Sequence, residues 1–312
     1  MSATPDADPG SGSFRTVADG LFPGVFLRGV LMGAADVVPG VSGGTIAFIT
    51  GIYQRLINAI SACDLTALRL LLRGDIAAAW NRFDGSFLLV LFSGVILSAL
   101  SLARLITYLL TNHSLLLWSF FFGLISASSL VLLREVRSFD LATCAALMIA
   151  LALAVSLAVV SGSSLPVTPL GFFVAGFLGI CAMILPGVSG SFILVLLGMY
   201  EPTLQAIKGL EWVSMLCFVV GCACGLLAFS RLLRWLLDRF YRVTLAALTG
   251  FLIGSLPVVW PWKLSASEGG VDLVVSPARY AAESGDSQLL FCVILGVLGF
   301  AVVWLIERHS VR

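Results

Sequence analysis

The sequence predicts an all-α polytopic membrane protein made of two inverted-topology repeats. Each repeat is a broken, re-entrant helical hairpin followed by three transmembrane helices. Three observations carry that prediction. Of 312 residues, 59% are apolar and only 11% are charged, where a soluble domain carries about 25% charged residues. The stretch VVPGVSGGTIAFITGIY (37–53) recurs as ILPGVSGSFILVLLGMY (184–200). The basic residues divide 14 to 4 between the two sides that this architecture defines.

Residues 1–20 are polar and rich in Pro, Gly and Ser. They lack the basic start and apolar core of a signal peptide and read as a disordered cytoplasmic tail. A single transmembrane domain is expected over 21–306, with repeat one at about 21–160 and repeat two at about 167–306. A cytoplasmic tail follows at 307–312. In repeat one the hairpin limbs are 25–38 and 42–60, and the spans are 87–110, 115–133 and 141–160. In repeat two the limbs are 171–185 and 189–207, and the spans begin near Met215, Val243 and Leu289. The 14 residues 25–38 reach about 21 Å as a helix, short of a hydrocarbon core of about 30 Å. A re-entrant hairpin follows from that shortfall, with two full crossings as the alternative.

The duplication is legible residue by residue. At an offset of 147, Gly29 meets Gly176, Pro39-Gly40-Val41-Ser42-Gly43 meets Pro186-Gly187-Val188-Ser189-Gly190, and Tyr53 meets Tyr200. Beyond a polar insert at 61–85 the offset becomes 127, and Gly94 meets Gly221, Arg104 meets Arg231 and Gly123 meets Gly250. Matches this dense at a fixed offset mark an internal repeat. A hairpin returns to its own side and three spans then cross, so the second copy enters inverted. With both termini in the cytoplasm, 14 of 18 basic residues face inward, as the positive-inside rule requires. Arg104, Lys208, Lys263 and Arg279 remain outside, and the outer loop 263–287 is net acidic.

The breaks themselves suggest chemistry. Irregular backbone at membrane depth is tolerated only when buried in protein or lining a wet cavity, and discontinuous helices in inverted repeats mark the substrate sites of secondary transporters. Ser42 and Ser189 stand where an N-cap belongs. Gly43, Gly44 and Thr45, and Gly190 and Ser191, then leave free N–H groups that suit an anion. Tight turns made only for packing are the competing explanation, weakened by the second, inverted copy. Asp36 lies in an apolar limb opposite Met183. An intramembrane carboxylate costs about 2.5–3.5 kcal/mol on insertion scales, which makes Asp36 a candidate for a coupling proton or sodium ion, or else a member of a structural ion pair or a carboxylate capping a neighbouring turn. Arg104, Arg231 and Arg28 are candidate phosphate partners, with snorkelling to headgroups the alternative. Tyr53 and Tyr200 read as interface or packing residues.

Other classes are disfavoured. The seven cysteines fall mostly in apolar segments, and Cys222 and Cys224 lack a second ligand pair for zinc. Only His113 and His309 are present, and Ser42 and Ser189 have no visible base, so no catalytic constellation, metal site or cofactor is expected. A net charge of +1 gives no reason to expect a nucleic-acid partner.

The string RGVLMGAADVVPGVSGGTIAFITGIYQRLINAI (28–60), with its shorter echo at 176–207, resembles the bacterial polyprenyl-phosphate transporter family, once catalogued only as a membrane domain of unknown function. The resemblance runs from about Gly20 to Ile306. It implies a flippase in the bacterial cytoplasmic membrane that returns undecaprenyl phosphate, the lipid carrier of cell-wall sugars, from the outer to the inner leaflet. Asp36, Pro39, Gly40, Ser42, Gly43, Gly44 and Thr45 match the family's first motif. Pro186, Gly187, Ser189 and Gly190 match its second, with Ser191 and Phe192 replacing the first motif's Gly and Thr. Read from the residues alone, a small-anion transporter or channel and a structural envelope protein stay open, as does a homo-oligomer.

The inverted topology predicts that cysteines placed in 61–85, on a background free of native cysteines, react only with reagent inside the cell. Cysteines in 263–287 should react from outside. Labelling of both segments from one side would remove the inversion.

Overall fold

The computed structural model describes residues 22–36, 42–136, 138–159, 165–264 and 273–310. The expectations for the 1–20 tail and for Pro39 and Gly40 lie outside those residues. The described chain is almost wholly helical. Repeat one contains α1 (Phe22–Asp36), α2 (Gly43–Ile49), α3 (Tyr53–Ser61), α4 (Leu65–Leu72), α5 (Ile76–Arg82), α6 (Gly85–Asn112), α7 (Ser114–Glu135) and α8 (Leu141–Val159). Repeat two contains α9 (Pro169–Ile184), α10 (Gly190–Leu196), α11 (Tyr200–Lys208), α12 (Trp212–Arg239) and α13 (Tyr241–Ser255). A two-stranded antiparallel ribbon, β1 (Lys263–Leu264) with β2 (Leu273–Val274), follows, then α14 (Pro277–Ser284) and α15 (Leu289–Ser310).

Helices α6, α7, α12 and α15 are long and apolar enough to cross a bilayer, and the bent pair α10–α11 makes a fifth candidate. The protein is a multi-pass membrane protein. Of the four long helices α7 is the most enclosed, with 56% of its residues buried against 28% or fewer in the others. It therefore forms the centre, and α6, α12 and α15 turn most of their surface outward.

Two expectations need correction. The limbs 42–60 and 189–207 are not continuous, because each breaks again at a glycine. Gly51 and Gly198 adopt φ of 73° and 64°, the left-handed conformation glycine enters without penalty. The amide of Ile52 then reaches back to the Ala47 carbonyl, and that of Met199 to Leu194, at 3.0 and 2.8 Å. This is a glycine-dependent helix stop, and it turns α11 by 105° from α10. Secondly, the polar insert at 61–85 is not loop but the two short helices α4 and α5. Helix α15 runs on to Ser310 and so extends into the 307–312 segment.

Duplicated glycines set the packing. Gly29 of α1 lies against Leu91 and Gly94 of α6, and Gly176 of α9 against Phe218 and Cys222 of α12. Further on the partners cross over. Gly123 of α7 abuts Gly296 of α15, while Gly250 of α13 abuts Leu147 and Ala150 of α8. The third span of each repeat thus packs on the second span of the other.

Polar ties hold one end of the bundle. Arg55 pairs with Asp84 at 2.7 Å, Tyr241 donates to Glu135 at 2.7 Å, and Arg242 donates to Ser138. At the other end, Trp262 donates to the Ser287 carbonyl at 3.0 Å, and the Lys263 ammonium lies 4.3 Å above the Trp118 ring.

A Cβ at Gly123 would run into the Gly296 carbonyl, whereas one at Gly296 would meet only the Ser119 carbonyl oxygen at 3.4 Å. Overpacking costs about 1–3 kcal/mol. Gly123→Ala should therefore lower the thermal midpoint in detergent by several degrees, and Gly296→Ala should lower it less.

Candidate functional site

The two breaks meet inside the protein, 131 to 143 residues apart in sequence. Ser42 sits at the N-cap of α2 with extended backbone, φ −119° and ψ 134°, and its Oγ accepts from the Gly44 amide at 3.1 Å. The same hydroxyl donates to the Met183 carbonyl at 3.2 Å, and the Tyr53 hydroxyl donates to the Ile184 carbonyl at 3.1 Å. Both acceptors belong to the last turn of α9, whose carbonyls have no partner within the helix. In return the Gly187 amide donates to Thr45 Oγ1 at 2.9 Å. Thr45 is fully buried, and Ser42 and Tyr53 nearly so. Residues of the first break thus finish the helix that leads into the second.

The first break is also closed on its own side. The Gly43 amide donates to Asp36 Oδ1 at 2.6 Å, and the Thr45 amide to the Ser42 carbonyl at 2.9 Å. The free N–H groups expected after Ser42 are therefore not free. The chain's own carboxylate occupies the start of α2, where opposite charge and a charge-assisted hydrogen bond favour it. A Cβ at Gly43 would fall 2.5–2.9 Å from that carboxylate, and one at Gly44 2.9 Å from the Ile184 carbonyl oxygen. Only glycines let the two breaks approach this closely.

The second break differs. Met183 replaces Asp36 and is 38% exposed. Ser189 takes the N-cap of α10 with φ −102° and ψ 130°, but its side chain caps no amide. Its hydroxyl pairs with that of Ser191 at 2.8 Å. The Gly190 and Ser191 amides have no hydrogen-bond partner among the described residues. Beside them lies a cavity of about 20 Å³ lined by Gly187, Val188, Ser189 and Phe192, with Ala154 and Leu157 of α8, Ser255 of α13 and Val258. That volume holds a water molecule or a small polar group. Gly187 has φ 82°, which turns the chain between α9 and α10.

The arginines are elsewhere. Arg231 donates to the Cys63 carbonyl at 3.1 Å and so serves the segment after α3. Arg104 is exposed eight residues before the end of α6. Arg28 of α1 is half-buried, within electrostatic range of Arg55. None of the three has a hydrogen bond to either break among the described residues. Tyr53, expected at an interface or in packing, was missed as a partner of α9. Its signal was available: tyrosine follows Gly51 and Gly198 by two residues in both copies, immediately after a helix stop.

Comparison with known proteins adds the family. The model of the undecaprenyl phosphate translocase-like family matches residues 32–270, a range that contains both breaks. The chain belongs to that family. A Vibrio cholerae protein named polyprenyl-phosphate transporter is 41% identical over 295 residues, covering 91% of this chain and 96% of the relative. A Staphylococcus aureus protein of the same name is 32% identical over 253 residues, covering 75% and 85%. These family names are of transporters and not of enzymes, in keeping with the sequence. No solved structure matches the chain.

Thr45→Val would leave the Gly187 amide buried without its acceptor, at a cost of about 1–3 kcal/mol. Thermal unfolding in detergent should show a clear loss of stability. Thr45→Ser, which keeps the oxygen, should restore most of it.

Proposed function

We propose that this protein is a flippase for a polyprenyl phosphate, moving undecaprenyl phosphate from the outer to the inner leaflet of the bacterial cytoplasmic membrane so that the lipid carrier is reused. Two curated relatives named for polyprenyl phosphate support the substrate class. The observation that carries the site is the second break, where the Gly190 and Ser191 amides are unclaimed among the described residues and the adjoining Ser189 lines a small cavity with residues of α8 and α13. Amides at a half-helix start, shielded from water, suit a phosphate head.

The two repeats act as inverted halves with both termini cytoplasmic. The exchange of third spans between repeats supports this reading. Asp36 is the counterpart of the phosphate. While ionised it holds the Gly43 amide at the start of α2, and its protonation or its pairing with sodium frees that amide to take the phosphate in turn, the Gly44 and Thr45 amides following only as Ser42 releases them. Transport is thereby coupled to the ion gradient. Arg104 supplies positive charge from the outer half of α6, and Arg28 with Arg55 does so at the inner end of the first hairpin. Arg231 is spent on the Cys63 carbonyl and contributes by holding α3 to α12.

The test is reconstitution in vesicles, with labelled undecaprenyl phosphate in one arm and inorganic phosphate in the other. A hydrogen bond to a charged group contributes about 1.5–3 kcal/mol, so Ser189→Ala should lower lipid transport roughly tenfold or more. Gly190→Leu also presses on the Gly179 carbonyl, so its folding is checked by thermal unfolding. Arg279→Gln, in an exposed ion pair with Glu283, should leave transport unchanged. Asp36→Asn should abolish dependence on the proton or sodium gradient. Wild-type transport by Ser189→Ala and Gly190→Leu would reduce the break to a turn. Movement of inorganic phosphate alone would replace the lipid substrate by a soluble anion.

A further inference from the structure

The segment between α3 and α6 has no counterpart of similar length in repeat two, and the transport reading leaves it unused. Its two helices begin at side-chain caps. Asp64 accepts from the Thr66 and Ala67 amides at 2.9 Å, and Asp75 accepts from the Ala78 amide at 3.1 Å. Arg82 closes the pair by bonding Asp64 at 2.6 Å. The two helices meet through their smallest side chains, since Ala67 and Ala79 are the buried residues of α4 and α5.

What remains outside is apolar. Leu65, Leu68 and Leu72 recur at helical spacing along one stripe of α4 and are 69%, 50% and 79% exposed. Ile76 and Trp80, four apart on α5, are also exposed. Such a face on an otherwise polar connection needs a cover. Two observations say what covers it. The first is position. Trp80 packs over Gly85 and donates to Ser86 Oγ at 2.9 Å, so α5 is fixed at the first turn of the membrane-crossing α6. The second is charge. Arg69 and Arg73 are exposed beside the leucine stripe, while Asp64 and Asp84 are committed to Arg82 and Arg55. Among the described residues neither Arg69 nor Arg73 has an ion-pair partner. Apolar side chains on one face with arginines alongside is the pattern of a helix lying in the plane of an anionic leaflet.

We infer that α4 and α5 form an interfacial anchor, with Leu65, Leu68, Leu72, Ile76 and Trp80 in the acyl boundary of the leaflet at the start of α6 and Arg69 and Arg73 among anionic headgroups. On the charge-derived orientation that leaflet is cytoplasmic. Arg234, which donates to Ser61 at 3.3 Å, and Arg231 connect the anchor to α12.

The full-length protein in nanodiscs tests this. The emission of Trp80 is obtained as the difference between wild type and Trp80→Phe. Lipids brominated near the glycerol end of the chain should quench it more than lipids brominated at the methyl end, and aqueous iodide should not quench it. Quenching by iodide with no effect of either bromolipid overturns the anchor. Protection from both that appears only with two copies per disc also overturns it, in favour of self-association. For the charge, bromine is placed on phosphatidylglycerol alone in a mixture with phosphatidylcholine. Each arginine should enrich the anionic lipid about fivefold at the site, so quenching should exceed random mixing and fall back in Arg69→Gln with Arg73→Gln. Equal quenching in wild type and the double variant overturns the headgroup contact.

Discussion

The constraint on which this fold rests is that a helix broken inside a membrane exposes carbonyls and amides that lipid cannot satisfy. Here the two breaks satisfy one another. The end of α9 presents the Met183 and Ile184 carbonyls, and Ser42 and Tyr53 donate to them from the first break. Thr45 takes up the Gly187 amide. A buried polar group left unpaired costs about 1–3 kcal/mol, so these contacts make the meeting of the repeats close to obligatory. The glycines follow from the same demand. With Gly44 in place the Ile184 carbonyl can approach the α2 backbone, and a side chain there would hold the breaks apart.

Yet the mutual capping runs one way. The first break spends its hydroxyls on the second, while Ser189 turns to Ser191 and Tyr200 stays 42% exposed. The difference traces to Asp36 and Met183. A carboxylate at the end of α1 can reach the Gly43 amide and neutralise the start of α2 from within. A methionine cannot do this for α10. One half-helix start is therefore self-satisfied and the other borders a cavity. Two copies of nearly the same string thus produce two unlike electrostatic environments.

Around this centre the stability is divided by chemistry. Glycine contacts and apolar side chains hold the spans along their length, with Leu91, Ile125, Leu245 and Leu252 wholly buried. Among the described residues, ion pairs and arginine hydrogen bonds lie at the ends, where water is available, while the Tyr53 hydroxyl bonds in the buried centre. At one end Asp64 shows the consequence. Its bonds from the Arg82 guanidinium and the Ala67 amide hold its carboxyl well below the usual carboxylate range. Its contribution is present at pH values above the ordinary carboxylate pKa and is lost only as pH falls through that depressed value. Being exposed, the pair is weakened by solvent and salt.

The sequence by itself determined the membrane class, the duplication with its repeated glycines, the two breaks and the serines at their N-caps. Each of these is written in local composition or in a fixed offset, so it can be read without knowing what lies opposite. The second stops at Gly51 and Gly198 stand in the sequence too, as glycines followed two residues later by tyrosine, but a glycine inside an apolar limb does not by itself show that its φ is positive. Only the tertiary structure decided which amides are occupied. That Tyr53 serves α9, that Thr45 takes the Gly187 amide and that Arg231 serves Cys63 depend on partners brought together by the fold, whereas Asp36 at the start of α2 is a local contact, readable as a carboxylate capping a neighbouring turn. A hydrogen bond acts over about 3 Å in space, and no periodicity along the chain encodes a contact between residues more than 130 positions apart.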